Sequence, residues 1–155
     1  MEKKIFLRNV KDTDLEDVFK HSNQDYVRKH SINKNKIKWD DHLIWFNGVM
    51  NDPNNFFYVV SDDLDRFLGQ IRYKINNNVA TVSISLSHLL IGKGYSKDLL
   101  LQSINKLFCE RKEVKEIIAY VSKKNTPSLK LFKKAGFSLQ QGEGELLKFI
   151  YYGEE

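Results

Sequence analysis

One stretch with two glycines constrains the fold of this chain more than any other feature. It reads Leu-Ser-His-Leu-Leu-Ile-Gly-Lys-Gly-Tyr-Ser-Lys-Asp-Leu over residues 86–99. An alternating, strand-like segment precedes it and a helix-like segment follows it, so Gly92 and Gly94 stand at a strand-to-helix junction. Glycine lets a ligand come close to the backbone, and a helix start offers unpaired N–H groups at the positive end of the helix dipole. The stretch therefore predicts either a tight turn or a cradle for phosphate or pyrophosphate.

The rest of the chain supplies strands and helices around this junction. Alternating, β-branched and short apolar segments predict seven strands: Lys3–Arg8, Phe56–Ser61, Phe67–Ile75, Val79–Leu86, Lys115–Val121, Phe137–Gln141 and Leu146–Tyr152. Apolar residues at helical spacing predict four helices. The first begins at a capping box, Thr13–Glu16, the second and third cover Trp39–Met50 and Tyr95–Arg111, and the fourth begins at the N-cap Thr126. Residues 22–37 are expected to form a loop or a short irregular helix, with His21 and His30 exposed. Short turns between the middle strands and a strand-helix-strand unit after them predict an α+β domain.

Composition narrows the class of protein. The 155 residues suit one domain over residues 1–155, and no apolar run reaches the length of a membrane span. The N-terminus has no apolar signal-peptide core, so the default address is cytoplasmic. The single Cys109 excludes a disulfide framework and a cysteine-cluster metal site, and its apolar helical setting predicts a core residue. The net charge of +5 is spread out without interleaved aromatics, so solvated surface is its plainest interpretation and a ligand with several phosphates, rather than nucleic acid, is the functional one.

Two motifs in the second half of the chain resemble those of the GNAT superfamily of acyl-CoA-dependent N-acetyltransferases. The pyrophosphate loop of that family reads Arg or Gln, two residues, Gly, one residue, then Gly or Ala, and this chain has Ile91-Gly-Lys-Gly-Tyr-Ser96. The family's later signature is Asn, two residues, a small residue and a helix that ends in Gly-Phe. Here it is Asn125, Ser128 and Gly136-Phe137. The resemblance covers residues 56–137 well and the N-terminal third loosely.

The resemblance implies a fold and a cosubstrate. The fold would be a mixed, mostly antiparallel seven-stranded sheet with helices on both faces, splayed between its fourth and fifth strands to admit the pantetheine arm. The cosubstrate would be acetyl-CoA, without a metal. Asn125 has an alternative role as a helix-start residue that bonds its own loop. The implied contacts are the main chain of Leu86, Ser87 and His88 with pantetheine, the amides of Gly92, Lys93, Gly94, Tyr95 and Ser96 with pyrophosphate, and Asn125, Ser128 and Phe132 nearby.

The chain departs from the family pattern in four places that bear on catalysis. Ile91 replaces the Arg or Gln that opens the loop, and Ser96 is its last small residue. The strand glutamate that acts as base in many members falls at Thr81, and the tyrosine that often protonates the thiolate falls at Phe132. No acid–base pair is evident, so Thr81 and His88 are weak catalytic candidates and solvent would take the amine proton. A catalytically silent acyl-CoA-binding or interaction domain is the alternative.

The acceptor is expected to be a primary amine of a small molecule, bound by a monomer or homodimer. The N-terminal region is similar to bacterial members that acetylate amino sugars of nucleotide-linked sugars, while protein N-termini and polyamines are alternatives. A polyamine site needs acidic residues to bind the cationic amines. The acidic cluster Asp62–Asp65 lies in a predicted turn, away from the expected cleft. His42, Arg72 and Thr81 are the candidate acceptor-binding residues. A surface histidine at His42 and a surface ion pair at Arg72 are the plainer interpretations.

Overall fold

The computed structural model describes residues 4–140, 142 and 144–153, and these form a seven-stranded sheet with helices on both faces. The α+β prediction is confirmed, while Lys3 and Gln141, the predicted ends of two strands, lie outside the described residues. The strands are β1 Ile5–Asn9, β2 Asn55–Asp62, β3 Phe67–Asn76, β4 Val79–Leu86, β5 Glu116–Ser122, β6 Ser138–Gln140 and β7 Leu146–Tyr152. The helices are α1 Leu15–Ser22, α2 Asp25–His30, α3 Trp39–Asn51, α4 Tyr95–Glu110 and α5 Thr126–Lys134, with a 3-10 turn at Asp12–Asp14 before α1.

The sheet opens between β4 and β5. Strand order is β1-β2-β3-β4-β5-β7-β6, and every neighbouring pair is antiparallel except β4 and β5, which are parallel. These two strands pair over three positions, and the last pair is Thr81 with Ile118. Beyond it β4 continues to Leu86 and β5 to Ser122, but the two strands no longer pair with each other. Their carboxyl ends therefore flank a gap at the position predicted for the splay.

Each face of the sheet carries its own core. On the face of α4 and α5, the inward side chains of β4, such as Val82, join the largest buried cluster. On the face of α1 and α3, a smaller cluster holds Val18, Phe46, Phe57 and Val59. Burial of each such side chain contributes about 1.5–3 kcal/mol to stability. Among the described residues, no helix is long and apolar enough to cross a membrane.

The start of the first helix differs from the predicted capping box at Thr13–Glu16. Asp14 rather than Thr13 organises the turn, since its Oδ2 accepts the backbone N–H of Lys11 at 2.7 Å. The two carboxylate oxygens also accept hydrogen bonds from Arg8 at 2.8 and 2.9 Å. These bonds outweigh the burial of the carboxylate, so the pKa of Asp14 is lowered, and α1 begins only at Leu15.

Two predictions about single residues on helix faces are wrong. Cys109 is exposed rather than buried, because the inward face of α4 carries Ile104 and Leu107 and the helix turns Cys109 away from it. In α3 the predicted apolar stripe included Trp39, which is 41% exposed. The buried residues of that helix are His42 and Phe46.

Candidate functional site

The glycine junction is a real strand-to-helix turn with an uncapped helix start. Gly92 and Gly94 have φ of +77° and +83°, which is left-handed backbone that favours glycine. Gly94 is the N-cap of α4, and no described side chain accepts a hydrogen bond from the first turn. The fully buried Leu90 anchors the loop, whereas a Cβ added at either glycine would meet nothing within 4 Å. The amides of the first turn of α4 thus have no side-chain acceptor among the described residues, as an anion cradle requires, whereas the N–H of Lys93 donates to the carbonyl of Leu90 at 3.4 Å.

The open edge of β4 presents unpaired backbone toward the gap. The N–H of Ser87 donates to the carbonyl of Leu68 in β3 at 2.8 Å, so alternate residues such as Leu86 direct their peptide groups to the other edge. Of the three predicted pantetheine contacts, Ser87 therefore has its amide committed to β3, and the exposed His88 lies beyond the strand. The carbonyl of Leu86 accepts a hydrogen bond from the hydroxyl of Tyr26 at 3.4 Å.

The second motif lies across the gap, because β4 and β5 are parallel and both loops follow carboxyl ends. Asn125 is the N-cap of α5, and its Oδ1 accepts the N–H of Ser128 at 3.3 Å, so the predicted N-cap Thr126 is wrong. The helix-start role of Asn125 is thus confirmed. Its side-chain nitrogen, Nδ2, has no hydrogen bond to a described residue. Phe132 is 3% exposed and stacks on Phe149 with ring centroids 6.3 Å apart, inside the core.

A histidine–serine pair that the sequence did not predict lies beside the end of β4. His21 is 4% exposed, against the prediction of an exposed residue, and its Nε2 lies 2.7 Å from Oγ of Ser85. Burial, with a smaller contribution from His88, lowers the pKa of His21 to about 4, so the imidazole is neutral at pH 7. The ring of Tyr26 lies between the two histidines, with its centroid 6.2 Å from that of His21 and 3.4 Å from that of His88.

His42 has a structural role. It is 2% exposed, so the surface interpretation is wrong. Its Nε2 lies 2.8 Å from the carbonyl oxygen of Leu15, which ties α3 to α1. Its ring packs among aromatic rings of α1 and α3, including those of Phe19 and Trp45, and it does not line the neighbouring groove.

A groove of about 740 Å³ lies on the α3 side of the sheet. Helix α3 forms one wall, and strands β3 and β4 form its floor. Thr81 and Ser83 of β4 reach the groove, so it begins beside the last residues that pair β4 with β5. The lining residues are Ile44, Trp45, Gly48, Val49, Asp52, Asn55, Arg72, Tyr73, Lys74, Asn76, Thr81 and Ser83.

Arg72 occupies the floor of this groove without a counter-ion. The surface ion pair expected for it is wrong, because among the described residues no carboxylate lies within salt-bridge distance of it. Its Nε is buried and has no hydrogen-bond partner. The guanidinium carbon lies 4.7 Å from the ring centroid of Trp45 and 5.8 Å from that of Phe57. Burial lowers the pKa of Arg72 to about 10, which leaves it charged at pH 7.

Strand β4 thus connects three features. The polar groove reaches its first half at Thr81, the open edge runs to Leu86, and the uncapped helix start follows at Gly94. A long ligand with an anionic end could lie along the gap, with its other end next to a molecule bound in the groove. The arrangement therefore suits a transfer reaction between two ligands that approach β4 from opposite sides.

Comparisons with known proteins agree with this geometry. The acetyltransferase (GNAT) domain matches residues 4–138. YwnH of Bacillus subtilis strain 168, which is named as a phosphinothricin acetyltransferase, is 29% identical over 108 residues, 64% of this chain. The match spans 62% of the length of that relative, which is less than two thirds.

Two solved structures share the fold at low sequence identity. A spermidine N-acetyltransferase from Vibrio cholerae, in complex with CoA and spermine, has a TM-score of 0.85 at 17% identity. That likeness covers 96% of this chain and 95% of the other. A domain from Methanocaldococcus jannaschii has a TM-score of 0.84 at 22% identity and covers 97% and 99% of the two chains.

Proposed function

The chain belongs to the acetyltransferase (GNAT) domain family, and from that premise we propose that it transfers an acetyl group from acetyl-CoA to a primary amine of a small molecule. The observation that carries the proposal is the end of β4–β5 pairing at Thr81 and Ile118, next to the left-handed loop at Gly92 and Gly94. An unpaired strand edge suits an extended arm with amide groups, and an uncapped helix start suits a pyrophosphate.

The cosubstrate contacts follow from that placement. The pyrophosphate would lie on the amides of residues 92 and 94–96, where the helix start is positive and no described side chain competes, while the amide of Lys93 stays bonded to the carbonyl of Leu90. The pantetheine arm would lie against the edge at Leu86, whose carbonyl already accepts the hydroxyl of Tyr26, with the side-chain Nδ2 of Asn125, which is unbonded among the described residues, across the gap. Ser128 lies beside Asn125 in the first turn of α5, and the buried ring of Phe132 supports that helix from within the core.

The chemistry rests on positioning. Acetyl-CoA supplies an activated thioester, and the protein must hold it beside a neutral amine, which can contribute about 7–11 kcal/mol toward the barrier. Thr81 reaches the groove at the start of the gap, but a hydroxyl without a partner is a poor base. The imidazole of His21 is bonded to Ser85, and its low pKa makes it a weak base. We therefore propose that solvent removes the ammonium proton.

The acceptor is defined only as an amine. The relative described above is named for phosphinothricin and one of the two structures for spermidine, so an amino-sugar acceptor gains no support from them. A test panel therefore includes amino acids, polyamines and amino sugars, free and nucleotide-linked.

Release of free CoA thiol from acetyl-CoA tests the proposal over this panel. Turnover with at least one amine, together with thermal stabilisation by acetyl-CoA, is the expected result. Stabilisation by acetyl-CoA without any turnover would favour the silent acyl-CoA-binding alternative. Absence of both would refute the assignment of the gap and the loop.

A further inference from the structure

The groove beside β4 holds a positive charge that nothing in the described chain neutralises. Arg72 has no carboxylate partner, its Nε is buried without a hydrogen bond, and it lines the groove. We propose that this groove binds an anionic oxygen group of the acceptor, so that the substrate is an amine that also carries a carboxylate, phosphinate or phosphate. This inference rests on the proposed acetyl transfer for the role of the bound molecule.

The cost of the arrangement argues for a ligand. A buried donor without a partner costs about 1–3 kcal/mol, and more for a charged group. The rings of Trp45 and Phe57 recover part of this through cation–π contact. A planar guanidinium held in this way is suited to bidentate bonds with a carboxylate or phosphate, whose geometry matches its fork of N–H groups.

The other charges that line the groove favour the same class of ligand. Lys74, the register partner of Thr81, adds a second positive charge. The one carboxylate among the lining residues is Asp52, and it is already engaged. Its two oxygens accept the backbone N–H of Asn54 at 2.9 Å and the side-chain amide of Asn55 at 2.7 Å. A polyamine would thus bring several positive charges to a groove that holds two cations.

A second unsatisfied polar atom lies on the same strand. Gln70 precedes Arg72 by two residues, so both side chains project from one face of β3. Gln70 is 5% exposed and its Oε1 has no hydrogen-bond partner. Gln70 is not among the residues that line the groove, so only a ligand that extends along β3 beyond the groove would bring an N–H group to this oxygen.

The test compares acceptors in matched pairs that share an amine and differ in the acid. Suitable pairs are an amino acid with its methyl ester, and glucosamine 6-phosphate with glucosamine, with spermidine as the cationic arm. The variants are Arg72→Gln, which removes the charge, and Arg72→Lys, which keeps it without the bidentate fork. Arg66→Gln is the matched control, because that side chain is 61% exposed, pairs with Asp62 and lies outside the groove.

We expect wild type to prefer the acidic member of a pair by about tenfold to a hundredfold in kcat/KM, the range for a charge-assisted hydrogen bond. Arg72→Gln should erase that preference through KM, with the KM for acetyl-CoA unchanged, while Arg72→Lys restores part of it and Arg66→Gln has no effect on it. The pair that shows the preference identifies whether carboxylate or phosphate is the acid. Spermidine or the neutralised members as best acceptors, with Arg72→Gln unimpaired, would overturn the inference.

Calorimetry of the same pairs with the CoA-loaded protein keeps the inference testable without turnover. Tighter binding of the acidic member that Arg72→Gln abolishes would support the anion site even if no amine is acetylated. Equal binding of both members by wild type would refute the site, whatever the fate of the proposed reaction.

Discussion

Substitution of Gly94 by valine should abolish acetyl-CoA binding while the fold survives. The residue has φ of +83°, and left-handed backbone costs a side-chain-bearing residue about 1–2 kcal/mol. A Cβ at this position meets nothing within 4 Å, so no clash inside the protein adds to that cost. For a chain of this length about 2–4 °C is lost per kcal/mol, so the melting temperature should fall by about 2–8 °C.

The ligand effect is of similar size and can be measured separately. Acetyl-CoA at a hundred times its Kd should stabilise wild type by about 2.7 kcal/mol, or about 5–11 °C. In Gly94→Val the new side chain would stand where the pyrophosphate approaches the backbone, and this shift should vanish. The assay is thermal unfolding of each protein with and without acetyl-CoA.

Gly144→Val is the matched control for backbone strain. Gly144 also has positive φ, +63°, and its Cβ would also meet nothing within 4 Å, but it lies in the turn before β7, outside the loop. It should lose stability to a similar extent and keep the full acetyl-CoA shift. A folded Gly94→Val protein that retains the wild-type shift would refute the assignment of the loop.

Three further changes test other parts of the site. Thr81→Val should slow turnover by less than tenfold, below about 1.4 kcal/mol, because the hydroxyl is not a base; a thousandfold loss in a stable variant would contradict this. Phe132→Tyr should fold with a free energy of unfolding about 1–3 kcal/mol lower, because it buries a hydroxyl, and should turn over at least as fast as wild type. A tenfold fall in kcat would contradict the interpretation that Phe132 stands in the place of a tyrosine that protonates the thiolate. His21 has a pKa of about 4 in the fold and 6.5 ordinarily, so the unfolded chain binds the proton first as pH falls between these values. Urea unfolding of wild type should therefore lose about 3 kcal/mol between pH 7 and pH 4 that His21→Gln does not lose, and equal losses in both proteins would refute the assignment.

The strands and turns of the sheet can be predicted from side-chain alternation and from the residues at the turns. The alternation in Val79–Leu86 predicted β4 with the observed bounds, since polar and apolar residues on opposite faces leave one choice of orientation. The short turn between β3 and β4 consists of asparagines, which tolerate left-handed backbone, and Asn77 and Asn78 do have positive φ. The strand-to-helix junction followed from Gly92 and Gly94 in the same way.

His21 and His42 are both buried, although the sequence predicts surface positions for them. His21 lies three residues after Val18, and His42 four residues before Phe46, so helical spacing put each on a buried face. The polar, basic segment at residues 22–37 predicts an exposed His21, and a lone histidine beside an apolar stripe, such as His42, predicts a surface position. Their burial depends on partners far along the chain, Ser85 for His21 and the carbonyl of Leu15 for His42, and these distances cannot be read from spacing.

The surface ion pair predicted for Arg72 is wrong for a different reason. A lone arginine on a strand is usually placed at the surface with a carboxylate, and the sequence offers many acidic residues for that role. Asp52, the one carboxylate among the residues that line the groove, is bonded to backbone and side-chain amide donors, and the guanidinium lies over the ring of Trp45. Only the three-dimensional arrangement reveals that the charge has no partner.

The unpaired cation also bears on how an enzyme without an evident base could work. In an amine that carries an acid, the acid's negative charge stabilises the ammonium and raises its pKa. Pairing that acid with Arg72 would cancel this stabilisation, and Lys74 in the same groove would add a repulsion. At an effective dielectric constant of about 20, one unit charge about 6 Å away contributes roughly 3 kcal/mol, or about two units of pKa. A groove that recognises the acid would thereby favour the neutral amine, so that water can take its proton although Thr81 stands where many relatives carry a carboxylate base.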